Sequence, residues 1–163
     1  MTRVPKGADA SVLFVCLGNI CRSPTAEGVF RSMLEEAGVA DRVFVDSAGT
    51  GAWHVGKAPD ARAQAAARRR GVDLSGLRAR QVEADDLDAF DFVLAMDGAN
   101  LAALEAMRPG KAMRMLVFAP EAGTLDVPDP YYGGDAAFDA VLDLLTAASR
   151  GLLDRVRDEL DAR

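Results

Sequence analysis

The chain has 163 residues, the length of one domain that buries roughly 70% of its unfolded surface. Half of the residues are hydrophobic and 27% are charged, which excludes disorder over most of the length. The 19 basic residues are outnumbered by 25 acidic ones, for a net charge of −6, and a surplus of that sign argues against nucleic acid as a partner.

Residues 1–10 are polar, carry Pro5 and Gly7, and read as a flexible N-terminal extension, with the folded domain expected over 11–163. Val12, Leu13, Phe14 and Val15 form a short apolar run, as in a strand buried on both faces. After residues 16–22, Ser23 reads as an N-cap and Pro24 as the first helical residue. Ala26, Val29, Phe30, Met33, Leu34 and Ala37 follow at helical spacing, and Gly38 closes that helix. Residues 43–45 predict a second strand, followed by a long loop that holds Trp53 and His54. Pro59 opens an Ala-rich helix that stops at Gly71. Residues 92–96 predict a third strand, and Asp97 caps a helix carrying Leu101, Leu104 and Met107. Residues 113–118 predict a fourth strand. A Pro-rich loop then runs to Gly134, and Asp135 begins a last helix whose buried side includes Phe138, Val141, Leu142, Leu145, Leu152, Leu153, Val156 and Leu160.

Strands alternating with helices predict a single doubly wound, three-layer α/β domain with a four-stranded parallel sheet. Ligands in such folds bind beyond the carboxyl ends of the strands, where the strand order reverses. The loop after Val15, the loop after Val45, Asp97 and the loop after Phe118 all fall at that end.

The stretch Cys16-Leu17-Gly18-Asn19-Ile20-Cys21-Arg22-Ser23-Pro24 carries the chemistry. A helix N-terminus offers unsatisfied N–H groups and a partial positive charge, and so attracts an anion. Gly18 permits a left-handed turn, and Asn19 is the next most tolerant residue type. The backbone amides of Leu17, Gly18, Asn19, Ile20, Cys21 and Ser23 then point inward as a phosphate-binding nest after the first strand. Arg22 adds a planar fork for two phosphate oxygens. Cys16 lies at the floor, where the dipole, the amides, Arg22 and the Ser23 hydroxyl favour the thiolate, a nucleophile placed for in-line attack on a phosphate monoester.

A lone Cys-x5-Arg arises often by chance, and its place between an apolar strand and a Ser-Pro helix start is what makes it informative. The plainer alternative is a structural Cys16 with Arg22 in a surface ion pair. Attack on phosphorus also needs an acid for the leaving oxygen. Asp129, in a loop stiffened by Pro128 and Pro130, is the candidate, with Asp126 the competing carboxylate of the same loop. Trp53, Tyr131 and Tyr132 are placed to wall a cleft for an aryl group. With two cysteines and one histidine, neither a disulfide scaffold nor a structural zinc site is expected, and no metal or other cofactor is implied.

These motifs resemble those of the low-molecular-weight protein tyrosine phosphatases. Residues 16–24 resemble the active-site loop of that family. Asp46-Ser47-Ala48-Gly49-Thr50 with Trp53-His54-Val55-Gly56 resembles its second-strand loop, and Asp129-Pro130-Tyr131-Tyr132-Gly133 its general-acid loop. Ala79-Arg80-Gln81 and Met96-Asp97 match in order, so the likeness runs from Ser11 to about Leu153. The resemblance implies a phosphotyrosine phosphatase in which Cys16 becomes a phosphocysteine, Arg22 binds phosphate, and Asp129 acts as acid and then as base. It further implies that Asn19 and Ser47 brace the loop, that Ser23 supports the Cys16 thiolate, and that Cys21 is a redox partner able to form a reversible disulfide with Cys16.

Two features set this chain apart from patterns within the family. Leu77 stands where many members carry a His that holds the loop asparagine, so Asn19 is expected to lack that brace. Ile20 stands where phosphoarginine-hydrolysing relatives carry Thr, which favours aryl phosphate as substrate. A thiol-redox protein is the alternative of another class, but the five-residue spacing of Cys16 and Cys21 is not that of thioredoxin-like proteins, and Asp129 would have no task there. A phosphotyrosine-binding module would not need both Cys16 and Asp129. The expected partners are a phosphotyrosine-containing protein as substrate and inorganic phosphate as product, with no nucleic acid and no membrane, for a monomer. No apolar run approaches the ~18 residues of a membrane span, and the run after Arg3 and Lys6 is too short for a signal peptide, so a cytoplasmic location is expected.

Overall fold

A computed structural model describes residues 3–163. Its central strand, β1 (Ala10–Cys16), is buried at every position, which explains a run of apolar residues with no polar alternation. Strand β2 (Val43–Gly49) lies on one side of it; β3 (Phe92–Ala95) and β4 (Met113–Arg114) lie on the other. All neighbours are parallel, in the order β2-β1-β3-β4. The chain therefore leaves β1 to one side for β2 and crosses to the other for β3, so the strand order reverses at the carboxyl end of β1. The loop after Cys16 occupies that crevice.

The two faces of β1 divide the core. Val12, Phe14 and Cys16 pack against helices α1 (Arg22–Glu36) and α5 (Asp135–Asp161), through Phe30, Leu145 and Leu152 among others. Leu13 and Val15 face α3 (Ala84–Ala89) and α4 (Gly98–Met107), through Leu87 and Leu104. Helix α2 (Ala61–Arg68) closes a smaller cluster with Val29 of α1 and Phe138 and Leu142 of α5. The expected three-layer α/β arrangement with four parallel strands is thus the observed one. Among the described residues no helix is long and apolar enough to cross a membrane.

Several boundaries differ from the sequence reading. The first strand starts at Ala10, inside the stretch read as an extension. Val4 packs against the core, and the Asp9 carboxylate pairs with Arg42 at 2.8 Å; residues 1 and 2 lie outside the described part. Helix α1 begins at Arg22 with Cys21 as N-cap and no side-chain cap, because the Ser23 hydroxyl is turned inward to Cys16. Pro24 still falls in the first turn, where no N–H is missed. Asp60, not Pro59, opens α2, its side chain accepting the Arg62 N–H. The fourth strand is two residues long, and Met115–Phe118 forms a 3-10 turn instead. Its ladder ends with Ala95↔Arg114 because β3 gives way there to the Asp97 cap, while Met115 and Leu116 turn into the core. Helix α3 lies in the acidic stretch without a predicted element, closed by a capping box between Glu83 and Asp86.

Phe14 meets Phe30 edge to face with ring centroids 5.8 Å apart in the largest core cluster. Phe14→Ala is expected to cost about 3–5 kcal/mol, read as a lower midpoint of urea unfolding; a midpoint equal to that of the parent chain would contradict this account of the core.

Candidate active site

Cys16 is the last residue of β1 and Arg22 the first of α1, so five residues turn the chain from strand to helix. The turn is made at Asn19, whose φ of 57° makes it, among the described residues, the one non-glycine in the left-handed region. The sequence offers Gly18 first and Asn19 next for that conformation, and Asn19 takes it. Gly18 instead serves close packing: a Cβ there would lie 2.9 Å from Cδ2 of His54. Gly49, at the end of β2, does the same beneath the loop, where a Cβ would lie 2.7 Å from the Leu17 carbonyl oxygen. Thr50 and Gly51 donate N–H bonds to the Cys16 and Leu17 carbonyls, tying the loop to the segment after β2.

The left-handed asparagine is held by its own side chain. Asn19 Nδ2 donates to Ser23 Oγ at 2.8 Å and to Ser47 Oγ at 3.0 Å, while Oδ1 accepts the backbone N–H of Arg80 at 3.0 Å. Both amide hydrogens and the carbonyl are therefore used, and the brace expected to be missing at Leu77 is not needed. Ser47 Oγ in turn donates to Glu27 Oε1 at 2.7 Å, and Arg31 pairs with the same carboxylate at 2.6 Å. Burial raises the pKa of Glu27 above the ordinary carboxylate value, opposed by the Ser47 bond and Arg31.

Cys16 Sγ lies 3.0 Å from Ser23 Oγ and accepts the Asn19 N–H at 3.3 Å. Because Ser23 Oγ already accepts from Asn19, its own hydrogen is free to point at the sulfur; the other acceptor in reach, the Ala48 carbonyl, is farther, at 3.4 Å.

Arg22 is 3% exposed, so the alternative of a surface ion pair does not hold. Its Nη1 donates to Asp97 Oδ2 at 2.7 Å and to the Val127 carbonyl at 3.0 Å. Its Nη2 lies 3.8 Å from Asp129 Oδ2. Its Nε is buried and donates to no acceptor of the chain, although such a donor normally finds a partner. The sequence predicts Asp97 as a helix cap, and it is one, with Oδ1 accepting the Asn100 N–H at 2.8 Å. Its second oxygen orients the arginine, a role the sequence reading missed.

Asp129 is half exposed and accepts the Tyr131 N–H at 3.1 Å. The competing carboxylate, Asp126, is turned away from the loop, accepting from Gly98 N at 2.9 Å and pairing with Arg114 at 3.1 Å. A cleft of about 370 Å³ brings Cys16, Arg22 and Asp129 together under Trp53, Tyr131 and Tyr132, with Leu17, Gly18, Ile20, Cys21 and His54 completing its lining. Tyr132 is 96% exposed and Trp53 70%, so both stand at the rim. Asn19, Ser23 and Ser47 lie buried beneath it.

The architecture and the site define a class: an α/β protein whose strand-to-helix loop carries a buried cysteine at its start and a buried arginine at its helix end. The sequence model of the low molecular weight phosphotyrosine protein phosphatases matches residues 11–162. The chain is 42% identical over 153 residues to the low molecular weight protein-tyrosine-phosphatase YfkJ of Bacillus subtilis, covering 91% of this chain and 97% of that one. It is 39% identical over 154 residues to the low molecular weight phosphotyrosine protein phosphatase of Homo sapiens, covering 91% and 96%. The crystal structure of YfkJ matches with a TM-score of 0.88 at 40% identity, over 95% of this chain and 99% of that one. An arginine phosphatase from Drosophila matches with a TM-score of 0.83 at 31% identity, over 89% and 96%. The chain belongs to the low molecular weight phosphotyrosine protein phosphatase family.

Cys21 is buried, and burial, with Asp60 and Cys16 nearby, pushes its thiol pKa up to about 12. It is therefore expected to stay protonated and unlabelled by iodoacetamide in the folded protein at about pH 8, well below that value. Peptide mapping after native and denatured labelling checks this; native labelling of Cys21 as fast as in the denatured chain would contradict it.

Proposed function

We propose that the chain is a cytoplasmic protein-tyrosine-phosphatase that hydrolyses aryl phosphomonoesters through a phosphocysteine on Cys16. The observation that carries this reading is the meeting in one cleft of the Cys16 thiol, the buried Arg22 and the half-exposed Asp129. In the first step the Cys16 thiolate donates its electron pair to phosphorus and the bond from phosphorus to the tyrosine oxygen breaks. Asp129 delivers its proton to that oxygen, and the phenol leaves. Arg22 and the loop amides hold the equatorial oxygens throughout, and because they are fixed before the substrate arrives they need little reorganisation as charge develops. In the second step Asp129, now a carboxylate, takes a proton from water as the water oxygen attacks phosphorus. The sulfur–phosphorus bond breaks, returning the thiolate and releasing inorganic phosphate.

Aryl esters are the favoured substrates for two reasons. The half-buried Ile20 side chain offers the cleft no hydroxyl, and Trp53, Tyr131 and Tyr132 give it aromatic walls that suit a phenyl ring. The redox-partner role of Cys21 rests on its match to the second cysteine of the family's loop.

Hydrolysis of p-nitrophenyl phosphate in EDTA tests the reading. The wild-type chain is expected to turn over and Cys16→Ser to be inactive, while on phenyl phosphate, whose leaving group needs a proton, Asp129→Asn is expected to be slower by roughly 10²–10⁴-fold. A wild-type rate in either variant would refute the role assigned to that residue.

A further inference from the structure

The loop that carries Asp129 is anchored unequally at its two ends. On the N-terminal side Val127 is buried; its N–H donates to the Met96 carbonyl at 2.8 Å and its carbonyl accepts from Arg22 at 3.0 Å. Beyond Asp129, Pro130 is buried and residues 131–136 are exposed, in a turn that the Gly133 N–H closes on the Pro130 carbonyl at 2.8 Å. Arg62, from the first turn of α2, reaches that turn. Its Nη1 donates to the Gly133 carbonyl at 3.3 Å, and its guanidinium carbon lies 5.4 Å from the Tyr131 ring centroid and 4.7 Å from that of Phe138.

Arg62 is itself held from below. Its Nε and Nη2 donate to the two oxygens of Asp60 at 3.1 and 3.0 Å, a bidentate geometry that orients the guanidinium plane. Asp60 is fixed to the phosphate loop, its N–H donating to the Ile20 carbonyl at 2.8 Å. A continuous set of bonds thus runs from the phosphate loop through Asp60 and Arg62 to the turn that follows Asp129. The ion pair raises the Arg62 pKa and lowers that of Asp60, so both stay charged across the working range.

We propose that Arg62 is a positioning residue for proton donation: by holding the Gly133 carbonyl and the Tyr131 ring, it sets the turn after Asp129 and so the reach of that carboxyl to the leaving oxygen. The proposal rests on Asp129 being the general acid. A planar fork is suited to the task because one edge grips Asp60, the opposite nitrogen reaches Gly133, and the face lies against the rings.

The test compares kcat/KM of Arg62→Ala and wild type on phenyl phosphate, whose leaving group needs a proton, and on p-nitrophenyl phosphate, whose leaving group needs little help. Arg62→Ala is expected to lose about tenfold on phenyl phosphate and clearly less on p-nitrophenyl phosphate, as for a misplaced acid. Competitive inhibition by inorganic phosphate should be unchanged. In an Asp129→Asn background the same substitution should cost nothing more, since the group it positions is gone. Arg62→Gln, which keeps an aliphatic stem over Phe138, gives the same comparison if Arg62→Ala is unstable. No loss on either substrate, an equal loss on both, weaker inhibition by phosphate, or a loss that persists without Asp129 would each overturn the proposal in favour of simple structural support. If Asp129→Asn alone penalises the two substrates equally, the general-acid assignment fails, and that result is visible whatever Arg62 does.

Discussion

An asparagine side chain that donates both of its amide hydrogens and accepts a backbone N–H shapes the site. A left-handed backbone at a non-glycine residue costs on the order of 1–3 kcal/mol and persists where the surroundings over-determine it. Asn19 meets that condition because Ser23, Ser47 and the Arg80 amide each occupy one of its polar positions. Release of those bonds would free the residue to relax and loosen the N–H bond from Asn19 to the Cys16 sulfur. The same bonds link the loop to α1, β2 and the segment after α2, so three separate parts of the fold converge on one side chain. Glu27 carries the linkage one layer deeper through Ser47.

The second constraint is a buried guanidinium. Moving Arg22 out of water is costly unless its donors are met, and the chain meets Nη1 twice, through Asp97 and the Val127 carbonyl. This arrangement fixes the plane of the fork while leaving Nε without a protein acceptor. It also couples the arginine to the acid loop, since Val127 stands two residues before Asp129. In the proposed mechanism, phosphate binding and proton donation thereby share one anchor, and Arg62 holds the other end of the same loop.

Much of this was legible in the sequence because the chemistry is contiguous: Cys16, the loop amides, Arg22 and Ser23 lie within eight consecutive residues, and strand-to-helix alternation places them at the switch point. What was not legible depends on contacts between distant positions. Asp97 reaches Arg22 across 75 positions, and the Arg80 amide reaches Asn19 across 61; no local pattern marks either. Ser23 carried a correct local signal for a helix start, but its hydroxyl was claimed by Cys16 and Asn19. Helix α3 is six residues long, too short for a clear helical period. The apolar run after Met113 read as a strand because composition does not reveal that β3 ends and leaves it nothing to pair with.

The central claim is that Cys16 takes the phosphoryl group during turnover. Rapid acid quenching of the wild-type chain during hydrolysis of p-nitrophenyl phosphate, followed by mass mapping of its peptides, tests this most directly. The account predicts a phosphoryl group on the peptide that contains Cys16, and specifically on its sulfur. Turnover with no phosphoenzyme, or with the phosphoryl group on another residue, would contradict it.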